Sequence, residues 1–351
     1  MQYYKKFIRP IIERLDSETL HVSNRYLLHI LESSHVGLNI LEKFNFKGKR
    51  FKNKKLIIRV GKLMFENPLI VGAGWDKPGI TVAALYALGF AGVEVGTVVS
   101  NPQPGNPRPR HFVKGGVSLN RYGFNNPGAI QVAKNLERYK NNKKMIIGIS
   151  IGKNKDATNT PQSYADVVKI LYKYASYFAI NVSSPNTKGL RKLQEFEPLN
   201  EIIKAVQLEM KKQGGQKPTF VKIAPDLTFE QIDEIIKVVL KNKITGIIAT
   251  NTTNNKSLKK KYGWQNQDGG VAGDDQDYRT MSTQIISYIH KRTKGKIIII
   301  GSGGIKDYPT AIEKLKAGAS LLQITTGIHG EGPTIAGKIN RDLVKTYFSS
   351  L

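Results

Sequence analysis

The sequence predicts an α/β fold, a (β/α)8 barrel preceded by an N-terminal helical hairpin. From about residue 68, eight short apolar runs each end in Gly, Ser, Thr or Asn, and each precedes a stretch suited to a helix. Parallel strands that are buried on both faces produce such runs. The stretches after the second, fourth and sixth runs are long, which is typical of barrels that build a site from loops at the strand ends. A doubly wound sheet is the alternative, but eight strands without a break favour closure.

Residues 1–36 are predicted to form the helical hairpin. Their apolar residues recur at helical spacing in two groups, Tyr4, Phe7, Ile8, Ile11, Ile12 and Leu15, then Leu20, Tyr26, Leu27, Ile30 and Leu31. Asp16 and Ser17 can cap the second helix. Basic residues flank both apolar groups. The hairpin could therefore pack on the main domain or lay its apolar face in a lipid interface, and the residues alone leave both alternatives open.

Residues 37–67 are predicted to be a linker and a small β-hairpin. Its strands, Lys55–Val60 and Lys62–Phe65, turn at Gly61 and would close the bottom of the barrel. The barrel itself is expected to span residues 68–351. Its eight strands are expected at Leu69–Gly72, Gly92–Gly96, Met145–Ile151, Tyr177–Val182, Phe220–Ile223, Gly246–Thr250, Ile297–Gly301 and Ser320–Thr325.

Composition excludes several classes of site. The chain has no cysteine, which excludes disulfides, a thiolate nucleophile, Cys-ligated zinc and iron–sulfur clusters. Its 54 Lys and Arg against 27 Asp and Glu give a net charge of +27, but this charge is spread along the chain and accompanies no nucleic-acid-binding motif. We therefore expect no nucleic-acid partner. The six histidines lack metal-ligand spacing, and no run of 18 apolar residues predicts a membrane span.

The residues that end the predicted strands indicate the chemistry of the barrel mouth. Four asparagines suit a planar heterocycle with imide and carboxylate groups, namely Asn120, Asn181, Asn186 and Asn251. The turn Gly301–Gly304, with Thr326-Gly327 beside it, predicts a phosphate site. Lys222 is expected to be partly desolvated there and to stabilise a developing anion, such as the N1–C2=O region of a reduced flavin. The alternative is a lysine whose ammonium reaches solvent.

Eight ordered motifs link these strand ends to a known family: Ala73–Lys77, Glu94–Thr97, Pro102–Arg110, Asn120–Asn126, Ile151–Asp156, Asn181–Leu190, Lys222–Asp226 and Thr250–Thr253. With them the sequence resembles the class 2 dihydroorotate dehydrogenases, the quinone-dependent, membrane-associated class. The resemblance runs from Tyr3 to the C-terminus. It implies an enzyme that oxidises (S)-dihydroorotate to orotate in pyrimidine (UMP) biosynthesis, with FMN as hydride acceptor and ubiquinone or menaquinone as electron acceptor.

The resemblance also implies roles for individual residues. Ser184 would be the catalytic base, Thr187 and Phe124 would occupy the relay positions, and Lys222 would act beside the flavin. The soluble class 1 enzymes use a cysteine as base, so a chain without cysteine favours class 2. FMN would be held by Ala73, Gly74, Lys77, Thr97, Ser150, Asn181, Lys222, Thr250, Gly273, Gly303, Thr325 and Thr326. Dihydroorotate would be held by Lys77, Asn120, Arg121, Tyr122, Gly123, Phe124, Asn181, Asn186, Asn251 and Thr252.

For the hairpin, the resemblance implies a quinone tunnel that rests on the membrane surface. His21 and Arg110 match tunnel positions of the family. With no long targeting leader in the sequence, we expect a peripheral protein on the cytoplasmic side of a bacterial inner membrane, and we expect a monomer.

Three departures from the family pattern bear on acceptor preference and flavin affinity. Ser150 stands where the family usually has Asn, Thr325-Thr326 replaces Tyr-Thr or Tyr-Ser, and Gly269–Asp275 lacks the usual proline and gains negative charge. Two alternatives therefore accompany the class 2 interpretation. One is a soluble relative that uses fumarate or NAD, and the other is a basic surface-binding protein that kept the barrel and lost catalysis.

Overall fold

The computed structural model of the protein describes residues 16–45, 50–142 and 144–347. Its helices are Ser17–Glu32 (α1), His35–Glu42 (α2), Val82–Ala87 (α3), Ala129–Leu136 (α4), Thr160–Leu171 (α5), Phe196–Gln213 (α6), Phe229–Lys241 (α7), Lys256–Lys261 (α8), Gln276–Thr293 (α9), Tyr308–Lys316 (α10), Thr326–Glu331 (α11) and Ile335–Asp342 (α12). Its strands are Ile58–Val60 (β1), Leu63–Phe65 (β2), Leu69–Val71 (β3), Gly92–Val98 (β4), His111–Lys114 (β5), Val117–Asn120 (β6), Ile146–Ile151 (β7), Tyr177–Asn181 (β8), Thr219–Ile223 (β9), Gly246–Ala249 (β10), Gly270–Gly273 (β11), Ile298–Ser302 (β12) and Leu321–Ile324 (β13). Single 3-10 or π turns cover Lys54–Leu56, Glu137–Tyr139, Tyr172–Tyr174, Leu190–Gln194 and Leu343–Tyr347.

Eight parallel strands close into a barrel in the order β3, β4, β7, β8, β9, β10, β12 and β13, and β13 pairs back with β3. Every residue of β4, β7, β8, β9 and β10 is buried, which explains why these strands are nearly continuous apolar runs in the sequence. All eight predicted strands are confirmed, with bounds that differ by two residues or fewer. Closure excludes the doubly wound sheet.

Helices cover the outside of the barrel, and α7 shows why the sequence forms them. A capping box between Thr228 and Gln231 begins this helix. Its buried residues follow at helical spacing and face the strands: Ile232, Ile235, Ile236, Val238 and Val239. Full burial of each such side chain contributes roughly 1.5–3 kcal/mol. The pattern of spacing and capping was readable in the sequence, and the barrel supplies the apolar surface that makes it stable.

The predicted hairpin at the barrel bottom is confirmed, although shorter than expected. β1 and β2 pair as antiparallel strands around Gly61, whose φ of 57° lies in the left-handed region that favours glycine. Residues 54–56, at the start of the expected first strand, form a 3-10 turn instead. Val60 and Phe65 are buried against Ile70 at the base of the barrel, so the hairpin plugs that end.

No pattern in the sequence predicted the second sheet. β6 pairs with both β5 and β11 as antiparallel partners, forming a three-stranded sheet from the long stretches after the second and sixth barrel strands. Val117, Leu119, Val271 and Trp264 form its own small apolar core. This sheet carries Asn120 at the end of β6 and Gly273 at the end of β11, so it brings two predicted site residues to the mouth.

The N-terminal helices only partly match the predicted hairpin. α1 begins at Ser17, and the Asp16 carboxylate accepts a hydrogen bond of 2.9 Å from the Thr19 backbone N–H, as the predicted cap requires. The predicted first helix, within residues 1–15, lies outside the described residues. α2 crosses the predicted boundary at residue 36, because the chain turns at Ser33 and Ser34 and the Ser34 side chain caps a new helix. No described helix is long and apolar enough to cross a membrane.

Candidate active site

A cavity of about 180 Å³ opens where the barrel strands end. Side chains and glycines from β3 to β13, together with the β5–β6–β11 sheet, form its wall. The predicted flavin, substrate and catalytic residues that line it are Ala73, Gly74, Lys77, Thr97, Asn120, Tyr122, Gly123, Phe124, Asn181, Ser184, Asn186, Lys222, Thr250, Asn251, Thr252, Gly273, Gly303, Thr325 and Thr326. The topology therefore brings residues that are more than 250 positions apart to one cavity.

Lys222 lies buried at the floor of this cavity and joins a polar network inside the barrel. Its Nζ donates to Gln323 Oε1 at 3.2 Å, and Gln323 Nε2 donates in turn to Glu94 Oε2 at 2.6 Å. Tyr177 adds a hydrogen bond of 3.1 Å to the same carboxylate oxygen. Burial lowers the pKa of the Lys222 ammonium, and the charge of Glu94 partly opposes that effect. The ammonium does not reach solvent, so the alternative of an exposed lysine is excluded.

Lys77 is the second buried cation at the mouth. Its Nζ donates to Asn125 Oδ1 at 2.8 Å and lies 3.2 Å from the centroid of the Tyr122 ring. Burial lowers the pKa of Lys77 well below its usual value, the charge of Arg25 lowers it further, and the charge of Glu18 partly opposes both effects. Since Asn125 and Tyr122 are uncharged partners, the ammonium would gain most from an anionic ligand.

The asparagines form linked pairs at the mouth. Asn186 Nδ2 donates to Asn120 Oδ1 at 2.9 Å, and Asn251 Nδ2 donates to Ser183 Oγ at 2.9 Å. Asn186 Oδ1 and Thr252 Oγ1 are buried without a hydrogen-bond partner in the protein. Unpaired buried polar atoms are costly, so these two atoms indicate a ligand with complementary donors and acceptors.

Ser184 lies buried at the end of the β8 strand, where its Oγ accepts a hydrogen bond of 3.3 Å from the Asn186 backbone N–H. Thr187 is also buried, but it lies behind the cavity wall, and its Oγ1 has no partner in the protein. Phe124 lines the cavity and packs against Val99 and Leu190, which keeps this side of the mouth apolar.

Three other predicted contact residues have side chains that do not line the mouth cavity. Ser150 is fully buried and its hydroxyl bonds Thr97 Oγ1 at 2.9 Å, so it supports Thr97 from behind. The Arg121 Nε donates to the Pro109 carbonyl at 2.9 Å and points away from the mouth. Arg110 holds the Glu18 carboxylate of α1 through Nε and Nη2, at 2.9 and 2.8 Å. Arg110 therefore fastens α1 to the barrel.

A second cavity, of about 320 Å³, lies under α1 and α2 and is mostly apolar. Its wall includes Leu27, Leu28 and Leu31 from α1, Leu41 from α2 and Phe44 from the turn after α2. Its lining overlaps with that of the mouth cavity at His21, His111, Gly116, Ser118, Thr326, His329 and Gly330. The two cavities therefore share a wall, and His21 stands in it, at the predicted tunnel position. Arg110 does not line this cavity.

Similarity to known proteins agrees with this arrangement. The model of the family described as dihydroorotate dehydrogenase matches residues 55–346. The chain belongs to the dihydroorotate dehydrogenase family. A "Dihydroorotate dehydrogenase (quinone)" of Synechococcus sp. (strain JA-3-3Ab) is 40% identical, over 98% of this chain and 93% of the relative. Another protein with that name, from Christiangramia forsetii, is 39% identical, over 97% of this chain and 99% of its own.

Solved structures show the same likeness. A dihydroorotate dehydrogenase of Eimeria tenella, crystallised in complex with ferulenol, superposes with a TM-score of 0.83 at 32% identity, covering 95% of this chain and 92% of that one. Its ligand-free form gives a TM-score of 0.82. The family implies a flavin cofactor, and the mouth fits one. Gly74 lines the cavity with a φ of 103°, and a Cβ at this position would meet no atom within 4 Å, so the glycine leaves open space there. The buried ammonium of Lys222 adds the cation that an anionic reduced ring needs.

Several site residues were missed by the sequence analysis. Glu94 is the one charged residue of β4, and Gln323 is the one polar residue of β13, a signal that could have identified them as an inner network. Asn125 and Tyr278 also line the mouth, and Tyr278 donates to the Asn251 carbonyl at 2.9 Å. His111 and His329 carried no sequence signal, because their role depends on which elements pack together.

Proposed function

We propose that this chain is a dihydroorotate dehydrogenase (quinone) that uses FMN, takes its substrate at the barrel mouth and takes its quinone in the apolar cavity under α1 and α2. The observation that carries the proposal is the shared wall between a polar cavity and an apolar cavity. A quinone-dependent oxidation needs two unlike sites, one for a charged pyrimidine and one for an apolar acceptor. One described chain supplies both, so a monomer is sufficient for the function.

At the mouth, we assign the carboxylate of dihydroorotate to Lys77. A bound anion supplies the negative partner that the buried ammonium lacks among its neighbours Asn125 and Tyr122. The ring amides of the substrate would satisfy the unpaired Asn186 Oδ1 and the hydroxyl of Thr252. These contacts fix the orientation of a planar ring against the barrel mouth.

Ser184 is assigned as the base that removes the C5 proton. A hydroxyl is a weak base, so Oγ must pass its own proton onward as the C5 proton arrives, and the site must favour the negative charge that this transfer places on Oγ. The Asn186 N–H donates to that oxygen, and Phe124 keeps water away from it. The buried Thr187 hydroxyl, which has no partner in the protein, is the assigned next acceptor for the proton. FMN, when bound, accepts the hydride from C6 and passes electrons to the quinone.

We assign the phosphate of FMN to the turns that follow β12 and β13. Gly303 and Gly304 have φ values of 121° and 71°, in the region where glycine turns its backbone toward a ligand without steric cost. Thr326 lies beside them at the start of α11. Lys222 would stand under the flavin ring and stabilise the negative charge of its reduced form.

The first test is anaerobic addition of dihydroorotate to the purified protein, with the visible flavin absorbance as readout. Bleaching is expected, and a yellow protein that does not bleach would contradict the substrate assignment. An acceptor screen follows. Reoxidation by ubiquinone or menaquinone analogues is expected, whereas reoxidation by fumarate or NAD without quinone activity would identify a soluble relative.

Membrane attachment is assigned to the outer face of α1 and α2, on the cytoplasmic side of a bacterial inner membrane. This face exposes large apolar side chains, among them Ile30 at 68% and Val36 at 69%. Leu27 and Phe44 are exposed there too, and they also line the apolar cavity, so the cavity opens toward the surface that would meet lipid. A quinone could then enter without crossing water.

Vesicle flotation tests the attachment. Ile30→Glu combined with Val36→Glu should release the protein from vesicles, because a charge on this face opposes burial in lipid. Leu208→Glu is the matched control, since Leu208 is 57% exposed on α6, a helix of the barrel's outer layer. Equal loss of binding in both variants would mean that attachment depends on overall charge.

A further inference from the structure

A third cavity, of about 550 Å³, lies between α1, α4 and the segment that follows β6. It meets the mouth cavity at four residues that line both, namely His21, Lys77, Tyr122 and Asn125. Its outer part includes the exposed side chains of Tyr26 and Gln131. The lining therefore runs from the protein surface to Lys77, the residue to which we assign the substrate carboxylate.

Helix α1 presents different faces to the apolar cavity and to the third cavity. Leu20, Leu27 and Leu31 line the apolar cavity. The residues that line the third cavity are spaced three or four positions apart on another face of the helix, namely Glu18, Val22, Arg25 and His29. One helix thus separates an apolar cavity from a polar one.

The wall of the third cavity carries more positive than negative charge. Among the described residues that line it, the cations are Arg25, Lys77 and Arg138, and the one carboxylate is that of Glu18. Arg110 and Arg108 hold that carboxylate at 2.8 and 3.3 Å. Arg138 pairs with Glu32 at 3.3 Å. Within the described part of the chain, Arg25 and Lys77 are therefore the lining cations without a paired carboxylate.

Arg25 is the cation that gains most from a ligand in this cavity. Its Nε is buried and makes no hydrogen bond in the part of the chain that the structure describes. Such a nitrogen retains a desolvation cost, which an anionic acceptor would offset. The charge of Arg25 also lowers the pKa of Lys77, so the two cations repel each other. Two cations in one cavity without paired carboxylates favour a small anion there.

We propose that this cavity is an anion-binding antechamber, in which Arg25 receives the carboxylate of dihydroorotate on its way to Lys77 and through which orotate leaves. The inference rests on the proposed function, because it takes the mouth as the dihydroorotate site. The guanidinium suits this ligand, since its fork of N–H donors matches the two carboxylate oxygens. Substrate and quinone then arrive on different faces of α1 and do not compete for access.

The rate of orotate association with the oxidised holoenzyme tests the proposal without turnover. Stopped-flow absorbance of the flavin measures this rate. Arg25→Gln should lower the association rate constant about fivefold and weaken its dependence on salt, with little change in the dissociation rate. Loss of Arg25 favours the proton on Lys77, so slower association could not come from deprotonation of that lysine.

Arg59→Gln is the matched control. It removes the same charge from an exposed arginine of β1, at the opposite end of the barrel, and should keep the wild-type association rate. Reoxidation of the reduced flavin by a ubiquinone analogue should be unchanged in Arg25→Gln, because Arg25 does not line the apolar cavity. An association rate in Arg25→Gln equal to that of Arg59→Gln would overturn the proposal.

A chemical label gives a second measurement if Arg25→Gln does not fold. The chain has no cysteine, so Gln131→Cys supplies a single reactive thiol at the outer edge of the cavity. Methanethiosulfonate reagents can attach either a sulfonate or a trimethylammonium group there. The sulfonate should slow orotate association about fivefold relative to the trimethylammonium group. The same labels on Leu208→Cys, an exposed position of α6, should give equal rates. Equal rates with both labels at position 131 would contradict the antechamber.

Equilibrium binding distinguishes this proposal from the proposed function. If orotate does not perturb the flavin spectrum of the wild-type holoenzyme, the proposed function fails. If orotate binds, but neither Arg25→Gln nor the charge of the label at position 131 changes its association rate, only the antechamber fails.

Discussion

The two cavities at the top of the barrel differ in whether their buried polar side chains are hydrogen-bonded within the protein. In the mouth, the buried Lys222, Gln323 and Glu94 bond to one another, so their geometry is fixed before any ligand arrives. In the tunnel, His21 is equally buried but has no hydrogen-bond partner on either ring nitrogen. A preorganised charge network is what a reacting centre needs, because it stabilises developing charge without reorganising. Unpaired neutral donors suit a site that recognises an apolar molecule by a few oxygens.

The difference shows how one barrel can separate two half-reactions, reduction of the flavin and its reoxidation. Only a wall of side chains lies between the two cavities. Under the proposed function, the mouth controls proton removal and stabilises developing charge, and the apolar cavity under α1 and α2 controls access of the acceptor. Variants on each side should therefore affect different measurements, and four predictions test that separation in order of expected size.

The largest effect is expected from Ser184→Ala. Loss of the base should lower the rate of flavin reduction by dihydroorotate about 1,000-fold, because a positioned base contributes factors of this order. The flavin should stay bound, since Ser184 makes no assigned contact with it. Stopped-flow absorbance measures the rate. Ser163→Ala removes a buried serine of α5 outside the cavity and should keep the wild-type rate; a wild-type rate in Ser184→Ala would eliminate this serine as the base.

Lys222→Met should lower the same rate about 100-fold, the usual cost of removing one preorganised charge from a reaction centre. The matched control is Lys314→Met, which removes another buried lysine whose Nζ donates to the Arg279 carbonyl at 2.8 Å. The control should lose stability to heat but keep the rate of flavin reduction. A similar rate loss in both variants would show that Lys222 acts through stability alone.

Orotate binding at the mouth should weaken at alkaline pH, and this pH effect should be confined to the mouth cavity. Lys77 must carry its proton to hold a carboxylate, and burial has lowered its pKa well below 10.5. Affinity is therefore full below that lowered pKa and should fall about tenfold for each pH unit above it. Titration of the flavin spectrum with orotate measures the Kd. Lys77→Arg should flatten the dependence, because arginine stays charged, and an unchanged slope in that variant would exclude Lys77 as the titrating group.

The smallest effect is expected at the ion pair that docks α1. Burial raises the pKa of Glu18, but the hydrogen bond and charge of Arg110 outweigh burial and hold the pKa below its usual 4.5. The pair therefore stabilises the docked helix above about pH 4.5, and this contribution disappears as the pH falls through the lowered pKa. Glu18→Gln should cost about 1–2 kcal/mol of local stability.

Hydrogen exchange of the α1 amides measures this last effect. Faster exchange confined to α1, with unchanged flavin reduction, is expected for Glu18→Gln. Thr19→Ala is a control on the same helix, since it removes a hydroxyl contact to Asp16 without touching Arg110. Slower flavin reduction in Glu18→Gln would contradict this expectation and would mean that the Glu18 charge, which raises the pKa of Lys77, also affects the reaction at the mouth.

Much of the mouth could be predicted from the sequence. All eight strands were found from apolar runs, and residues at strand ends such as Asn181, Lys222 and Thr250 line one cavity because parallel strands deliver their carboxyl ends to one rim. The eight ordered motifs also indicated the family to which the chain belongs. Ser150 and Thr187 were placed in the right region, but the sequence could not show that they stand behind the wall rather than in it.

The tunnel was far less predictable. The resemblance implied tunnel positions for His21 and Arg110. His21 lines the apolar cavity, whereas the Arg110 guanidinium binds Glu18, a residue 92 positions away. Nothing in the sequence pattern pointed to His111 or His329. The β5–β6–β11 sheet was missed as well, because its strands are four residues long and one of them lies 150 residues from the others.

The sequence by itself determined the barrel and its strand ends. Hydrophobic periodicity reflects how each segment is buried, and parallel strands place their carboxyl ends next to one another. Which residues line the apolar cavity under α1 and α2 was decided only by the tertiary structure. Its walls come from α1, β5 and α11, which meet through packing and through contacts such as Glu18–Arg110 rather than through any local pattern. Whether an imidazole is neutral and unpaired depends on the atoms around it in space, and for His21 those atoms belong to segments spread across 300 residues.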